Sequence, residues 1–220
     1  MRIAYGDAVA VESFTADVEP GVLTVLSGPS GSGKSSIVGA LLGFVPFTGD
    51  LQAAGHDAKG GSALDLLAWS GQSATLFRGT VAENVALGDD HPSAERVAEA
   101  LDIAVLGGLD PAAPLDERGS GLSGGQSQRV AIARAVYRLL GDEQRILVLD
   151  EPSAALDHET EARLVTKLRA LAHSGRAVLV VSHREAFLSA ADVLLTVTPV
   201  VAPALDAASD ERAAAGTVRS

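Results

Sequence analysis

Gly28-Pro29-Ser30-Gly31-Ser32-Gly33-Lys34-Ser35 fits the pattern G-x-x-x-x-G-K-[ST] at every fixed position. Its glycines let the backbone curl until several N–H groups point at phosphate oxygens. Lys34 is the one cation of the loop, long enough to reach β- and γ-phosphates. The Ser35 hydroxyl is a hard oxygen donor suited to Mg²⁺. A helix starting at this point adds the partial positive charge of its N-terminus. The expected ligand is therefore Mg²⁺–ATP. A flexible Gly/Ser turn is the plainer reading, but the loop lies between an apolar run and a helical segment, as the ligand reading requires.

Two further motifs extend this chemistry. Ile146-Leu147-Val148-Leu149-Asp150-Glu151-Pro152 is an apolar run ending in two acids. Asp150 falls where a buried strand meets solvent, a suitable place to hold Mg²⁺ through its water shell. Glu151 follows, where a carboxylate can orient or deprotonate an attacking water. Leu122-Ser123-Gly124-Gly125-Gln126 opens a helix. Ser123 is a good N-cap, and Gly124 and Gly125 expose the first N–H groups. One chain thus carries two anion-binding helix starts. Either there are two ATP sites, or the second start serves the ATP of another copy. A two-fold head-to-tail pair would supply each site from both chains.

The elements that must place these residues follow from the apolar pattern. Residues 22–27 form a short apolar run ending at Gly28 and read as a buried strand. A helix over 35–42 follows, stopped by Gly43 and Pro46. Further strands are expected over 66–70, 146–150, 177–182 and 193–197. Helices are expected over 95–101, 126–140 and 159–172. In the helix over 126–140, Val130, Ala133, Tyr137 and Leu140 share a face. Apolar strands alternating with helices imply a parallel sheet covered on both faces. The expected fold class is α/β: a phosphate-loop NTPase core with a mostly parallel sheet, an inserted helical subdomain and an N-terminal β region. The core would span about 1–74 and 142–200 and the helical subdomain about 75–141, with 201–220 a loose tail.

Composition narrows the function. The chain has 220 residues, of which 47% are hydrophobic, enough for a substantial core. Its formal net charge of −11 argues against a nucleic-acid partner, which needs a basic surface. A compact anion site built from backbone N–H groups and one Lys is still compatible with that charge. There is no cysteine, hence no disulfide, thiolate metal site or cysteine nucleophile. No apolar run reaches the ~18 residues that would span a membrane. The N-terminal Met1-Arg2-Ile3-Ala4-Tyr5 lacks the layout of a signal peptide.

Taken in order, the phosphate loop, Gln72, Leu122-Ser123-Gly124-Gly125-Gln126, 146–151, Ser153-Ala154-Ala155-Leu156-Asp157 and His183 resemble the nucleotide-binding domain of ABC transporters. The resemblance covers residues 1–200. It implies ATP and Mg²⁺ as ligands, and a head-to-tail dimer, identical or mixed, that sandwiches two ATP molecules. It implies a membrane domain as partner and a place on the cytoplasmic face of the membrane. On the family pattern, Ser123 and Gly125 of one copy meet the γ-phosphate held by the other. Gln72 looks like the glutamine that senses Mg²⁺ and the γ-phosphate. His183 looks like the switch histidine, Asp157 like the dimer-interface aspartate, and Tyr5 like the aromatic that stacks on adenine. Ser36 stands where the family usually has Thr, and Ser70-Gly71 stands where it usually has an apolar residue and Pro.

Thr75-Leu76-Phe77-Arg78-Gly79-Thr80-Val81-Ala82-Glu83-Asn84-Val85 and Glu117-Arg118-Gly119 are similar to segments of exporter-type members. Leu41-Leu42-Gly43-Phe44 and Ala68-Trp69 resemble the bacterial cysteine/glutathione exporters. The expectation is an ATPase that powers an exporter, with thiol export as the narrower version. The alternative is a soluble ABC-type ATPase. Of its forms, a DNA-repair or chromosome ATPase would need a long coiled-coil insertion, and a translation factor would need two such domains in tandem. A non-hydrolysing module would not need Glu151 and His183.

Overall fold

In the computed structural model, which describes residues 1–53, 56–57, 64–116, 121–141 and 146–200, the sequence's apolar runs become the strands of one sheet. These are β3 (Leu23–Ser27), β6 (Leu67–Ser70), β9 (Ile146–Asp150), β10 (Ala177–Val181) and β11 (Val193–Thr196), in the order β11-β3-β10-β9-β6. Every pairing between them is parallel. β10 is buried along its whole length, which explains its unbroken run of apolar residues. Among the described residues, three short pairs stand outside this sheet. β1 (Ile3–Tyr5) pairs with β2 (Ala8–Val11), β4 (Gln52–Ala53) with β5 (His56–Asp57), and β7 (Gly79–Thr80) with β8 (Pro114–Leu115), all antiparallel.

The helices are α1 (Lys34–Leu41), α2 (Val81–Val85), α3 (Ala94–Ile103), α4 (Gly124–Leu139), α5 (His158–His173) and α6 (Glu185–Ala190). A 3-10 turn, Leu64–Leu66, precedes β6. Two apolar clusters cover the two faces of the sheet. One joins Leu23, Val25, Leu147 and Val180 to residues of α2 to α6. The other joins Leu26, Val148 and Leu179 to α1 and to Ile3 and Val11 of the N-terminal strands. The helical stretch after β6 therefore shares its core with the sheet, since Val81, Leu101 and Val136 belong to the same cluster as Leu147.

Most sequence expectations land within two residues of the observed ends. The helix expected over 126–140 begins two residues earlier, because Ser123 caps the chain and draws Gly124 and Gly125 into the first turn. It buries Ile132, Ala135, Val136 and Leu139 beside Val130, Ala133 and Tyr137, because it is packed between β6 and β9 on one side and α2 and α3 on the other. The helix expected over 95–101 runs from Ala94 to Ile103 under a Ser93 cap. The stretch expected to be a helical subdomain, about 75–141, is not uniformly helical, because Pro114–Leu115 pairs back onto Gly79–Thr80. The exporter-like Glu117-Arg118-Gly119 and the expected tail over 201–220 lie outside the described residues.

Candidate nucleotide site

The site lies along one edge of the sheet. Parallel strands send all their carboxyl ends to the same side, where ligands of open α/β sheets bind. The phosphate loop follows β3, His183 follows β10, Asp150 and Glu151 end β9, and Gln72 follows β6. These four strands are consecutive neighbours, so at about 4.8 Å per step the whole set spans about 14 Å.

The loop is held from both sides. Gly33 is left-handed, with φ 99°, and a Cβ there would fall 2.7 Å from the Ala10 carbonyl and 2.6 Å from Val11 Cγ2. Glycine is thus required at this position twice over, by conformation and by the close approach of β2. Lys34 Nζ donates to the Gly28 and Pro29 carbonyls at 2.7 and 2.9 Å. Two of its three donors tie the ammonium across the loop, and the third suits an anion. Pro29, Ser30, Gly31 and Ser35 are exposed, while Ser32 is fully buried. Tyr5, exposed at the end of β1, donates its hydroxyl to Ser36 Oγ at 3.2 Å. The expected adenine-stacking ring is therefore docked against the helix that starts at the loop.

Asp150 is the buried acid of the edge. Burial raises its carboxyl above the usual carboxylate range. A hydrogen bond from Gln72 lowers it, the Glu151 charge raises it and the Lys34 charge lowers it. Lys34, Gln72 and Glu151 thus all act on Asp150. Among the described residues, Asp150 Oδ1 is buried without a hydrogen-bond partner. Such an orphan is costly unless a ligand completes it. Ser35, Gln72 and Asp150 together offer hydroxyl, amide and carboxylate oxygens, a donor set that suits Mg²⁺.

Glu151 stands just past the strand with φ 48°, in the left-handed region that non-glycine residues seldom occupy. Pro152 contributes by disfavouring the right-handed helical region for the residue before it. The Glu151 amide donates to the Val181 carbonyl at 2.9 Å, which fixes the carboxylate beside the next strand. Its Oε1 lies 2.8 Å from His183 Nδ1, with the Glu151 side chain largely buried and that of His183 mostly exposed.

Ser123 and Gln126 form a reciprocal capping box: Gln126 N donates to Ser123 Oγ at 3.1 Å, and Ser123 N donates to Gln126 Oε1 at 2.8 Å. Ser123 and Gly124 are exposed. Gly125 packs inward, where a Cβ would come 2.8 Å from the Ala155 carbonyl. Asp157 caps α5, accepting from Thr160 N and Thr160 Oγ1, each at 2.9 Å. These hydrogen bonds hold its carboxyl below its ordinary value.

The sequence reading missed a network on α4. Arg134 donates from Nε to the Asn84 carbonyl at 2.7 Å and from Nη1 to the Thr75 carbonyl at 2.9 Å, with its guanidinium 5.5 Å from the Phe77 ring centre. Asn84 is buried and bonds Phe77 N, Phe77 O and Thr80 O. Gln128 donates to Gly71 O at 3.0 Å. The segment from Gly71 to Asn84 is thus fastened to the helix that Ser123 begins. A polar Asn between Val81 and Val85 was the available signal. Phe44, Trp69 and Phe77 are exposed on the surface. A cavity of about 640 Å³ lies elsewhere, lined by groups such as Phe14, Ile37 and Leu179.

Residues 11–154 match the family model described as ABC transporter. The chain is 40% identical over 193 residues to an ATP-dependent lipid A-core flippase of Burkholderia pseudomallei, which covers 83% of this chain and 31% of that protein. It is 39% identical over 185 residues to P-glycoprotein 14 of Caenorhabditis elegans, covering 80% of this chain and 14% of that protein. Among solved structures, a bacterial Atm1-family ABC exporter with ATP bound matches with a TM-score of 0.78 at 30% identity, over 91% of this chain and 36% of that one. The chain spans about a third of the length of the flippases it matches.

Proposed function

The chain belongs to the ABC transporter family, and on that premise we propose that it is the ATP-hydrolysing domain of a membrane exporter, working as one half of a head-to-tail pair. The observation that carries this reading is the convergence of Lys34, Gln72, Asp150, Glu151 and His183 on one edge of the parallel sheet. The backbone N–H groups of the loop and Lys34 bind the phosphates. Ser35, Gln72 and Asp150 hold Mg²⁺, which when bound neutralises charge on the phosphate oxygens. Glu151 takes a proton from water as the water oxygen bonds to the γ-phosphorus. The bond from that phosphorus to the bridging oxygen breaks, and ADP leaves. His183 orients the Glu151 carboxylate and reaches the γ-phosphate side of the site. Tyr5 packs on the base.

Ser123 and Gly125 serve the ATP of a second copy, identical or not, and Asp157 lies at the same interface. The exposed starts of α1 and α4 support this division of labour. Among the described residues, no helix is long and apolar enough to cross a membrane. Membrane domains are the proposed partners, on the likeness to exporters, docked on the Gln72-to-Val85 segment at the cytoplasmic face. Thiol export is the narrower reading, and its only support is the resemblance at Leu41 to Phe44 and Ala68-Trp69.

Phosphate release by the purified chain with Mg²⁺–ATP tests the proposal. Turnover should rise more steeply than linearly with protein concentration, because the active unit is a pair. No hydrolysis and no nucleotide binding at any concentration would overturn it.

A further inference from the structure

Glu161 lies in the first turn of α5 with 4% of its surface exposed. A carboxylate so far from water needs partners. Ser153 Oγ donates to its Oε1 at 2.5 Å. Arg184 Nε lies 4.0 Å from the same oxygen, and Arg184 Nη2 donates to the Ala154 carbonyl at 3.4 Å. His158 Nδ1 stands 4.0 Å from Oε2. Ser153 lies two residues beyond Glu151, and Arg184 directly follows His183. The two segments that meet in front through Glu151 and His183 are therefore tied again behind, through one buried carboxylate.

The backbone of Glu151 gives this tie a purpose. A non-glycine residue keeps a left-handed conformation only where its surroundings over-determine it. The turn after it is fixed by Ala154 N donating to Glu151 O and Leu156 N donating to Ser153 O. Glu161, from a third element, α5, reaches both that turn, at Ser153, and Arg184 beyond β10. An acid in a helix's first turn gains from the helix dipole wherever it points. That benefit requires neither burial nor a bond to Ser153.

We propose that Glu161 is a positioning residue for hydrolysis: by clamping Ser153 and Arg184 from behind, it sets the distance between Glu151 and His183. The proposal rests on the hydrolytic reading above. Glu161→Gln is isosteric and keeps an oxygen for the Ser153 hydroxyl, but loses the charge that attracts Arg184. It should lower kcat about 10–100-fold, the scale of a small misplacement of reacting groups, with KM and ATP affinity unchanged. Glu161→Asp, which keeps the charge, should recover part of the rate. In a His183→Ala background the Gln substitution should add less than about twofold, because coupled residues are non-additive.

A second measurement needs no turnover. The ¹⁵N shifts of the His183 ring in the nucleotide-free chain should move in Glu161→Gln. They should stay put in Lys167→Gln, a change on the same helix at the ion pair with Asp102. An unchanged kcat, equal losses in both backgrounds, or unmoved His183 shifts would overturn the proposal. A wild-type chain that does not hydrolyse ATP would instead overturn the parent reading, and the ring shifts would still decide the position of Glu161.

Discussion

Glu151 Oε1 and His183 Nδ1 lie 2.8 Å apart, bridging the carboxyl ends of two neighbouring parallel strands. An ionised carboxylate can only accept, so in this contact Nδ1 carries the hydrogen. A neutral ring then presents Nε2 as an acceptor, which cannot bond a phosphate oxygen. Glu151→Gln keeps an acceptor for Nδ1 but removes the base. It should retain ATP binding, slow hydrolysis at least about 100-fold and accumulate an ATP-bound pair on sizing chromatography. Wild-type turnover in this variant would show that Glu151 is not the base.

Lys34→Ala removes the loop's one cation together with its ties to the Gly28 and Pro29 carbonyls. Charge-assisted bonds to phosphate are among the strong ones. ATP affinity measured by calorimetry should fall at least about tenfold, and turnover should be nearly abolished. Unchanged affinity would remove the phosphate loop from the account.

Adjacent glycines at the start of α4 should respond in opposite ways. A Cβ at Gly124 meets nothing within 4 Å, whereas one at Gly125 meets the Ala155 backbone at 2.8 Å. Gly124→Ala should be neutral or stabilising by up to about 1 kcal/mol. Gly125→Ala should cost about 1–3 kcal/mol as helix and turn are forced apart. Urea unfolding of the two variants distinguishes them, and equal stabilities would contradict this packing.

Arg134 holds the loop that presents Phe77. Arg134→Met strands the Thr75 and Asn84 carbonyls and should destabilise the chain by about 2–3 kcal/mol. The exposed Phe77→Ala should cost less than about 1 kcal/mol and leave ATP affinity intact. In the assembled exporter, Phe77→Ala should uncouple hydrolysis from transport. Equal transport would move the docking surface elsewhere.

Asp192 is held down to about 2 by the Leu23 amide first, then by His173 and Arg169. A carboxyl depressed in the folded chain contributes stability above its ordinary value of 3.8, and that contribution is lost as pH falls toward 2. Unfolding free energy should drop more steeply between those two pH values in the wild type than in Asp192→Asn. Parallel curves would show that these bonds do not favour the charged form.

The parts of the molecule that the sequence made legible are those governed by local rules. The strand Ile146–Asp150 was read to the residue, because an apolar run with an acid at its end and Pro152 beyond has few other solutions. Short elements escape: α6, with six residues, is too brief for a helical period to register, and α2, with five, falls inside the expected helical stretch without standing out as an element of its own. Long-range polar partners escaped as well. Glu161 in sequence is one more acid in a first turn, and only its burial against Ser153 sets it apart. Arg134 reaches Thr75 across 59 positions of chain, a separation that no local pattern records.

Helix α4 has a further consequence, for how this chain tolerates change. Over 16 residues, Ser123 caps it, Gly125 meets Ala155, Gln128 takes Gly71, Arg129 takes Val105, Arg134 takes Thr75 and Asn84, and Tyr137 takes Asp89. These duties recur on nearly every turn and point in different directions, so hardly any face is left for neutral drift. A library of random substitutions should show α4 as the most intolerant helix of the chain, with losses scattered all around its circumference instead of along a single stripe.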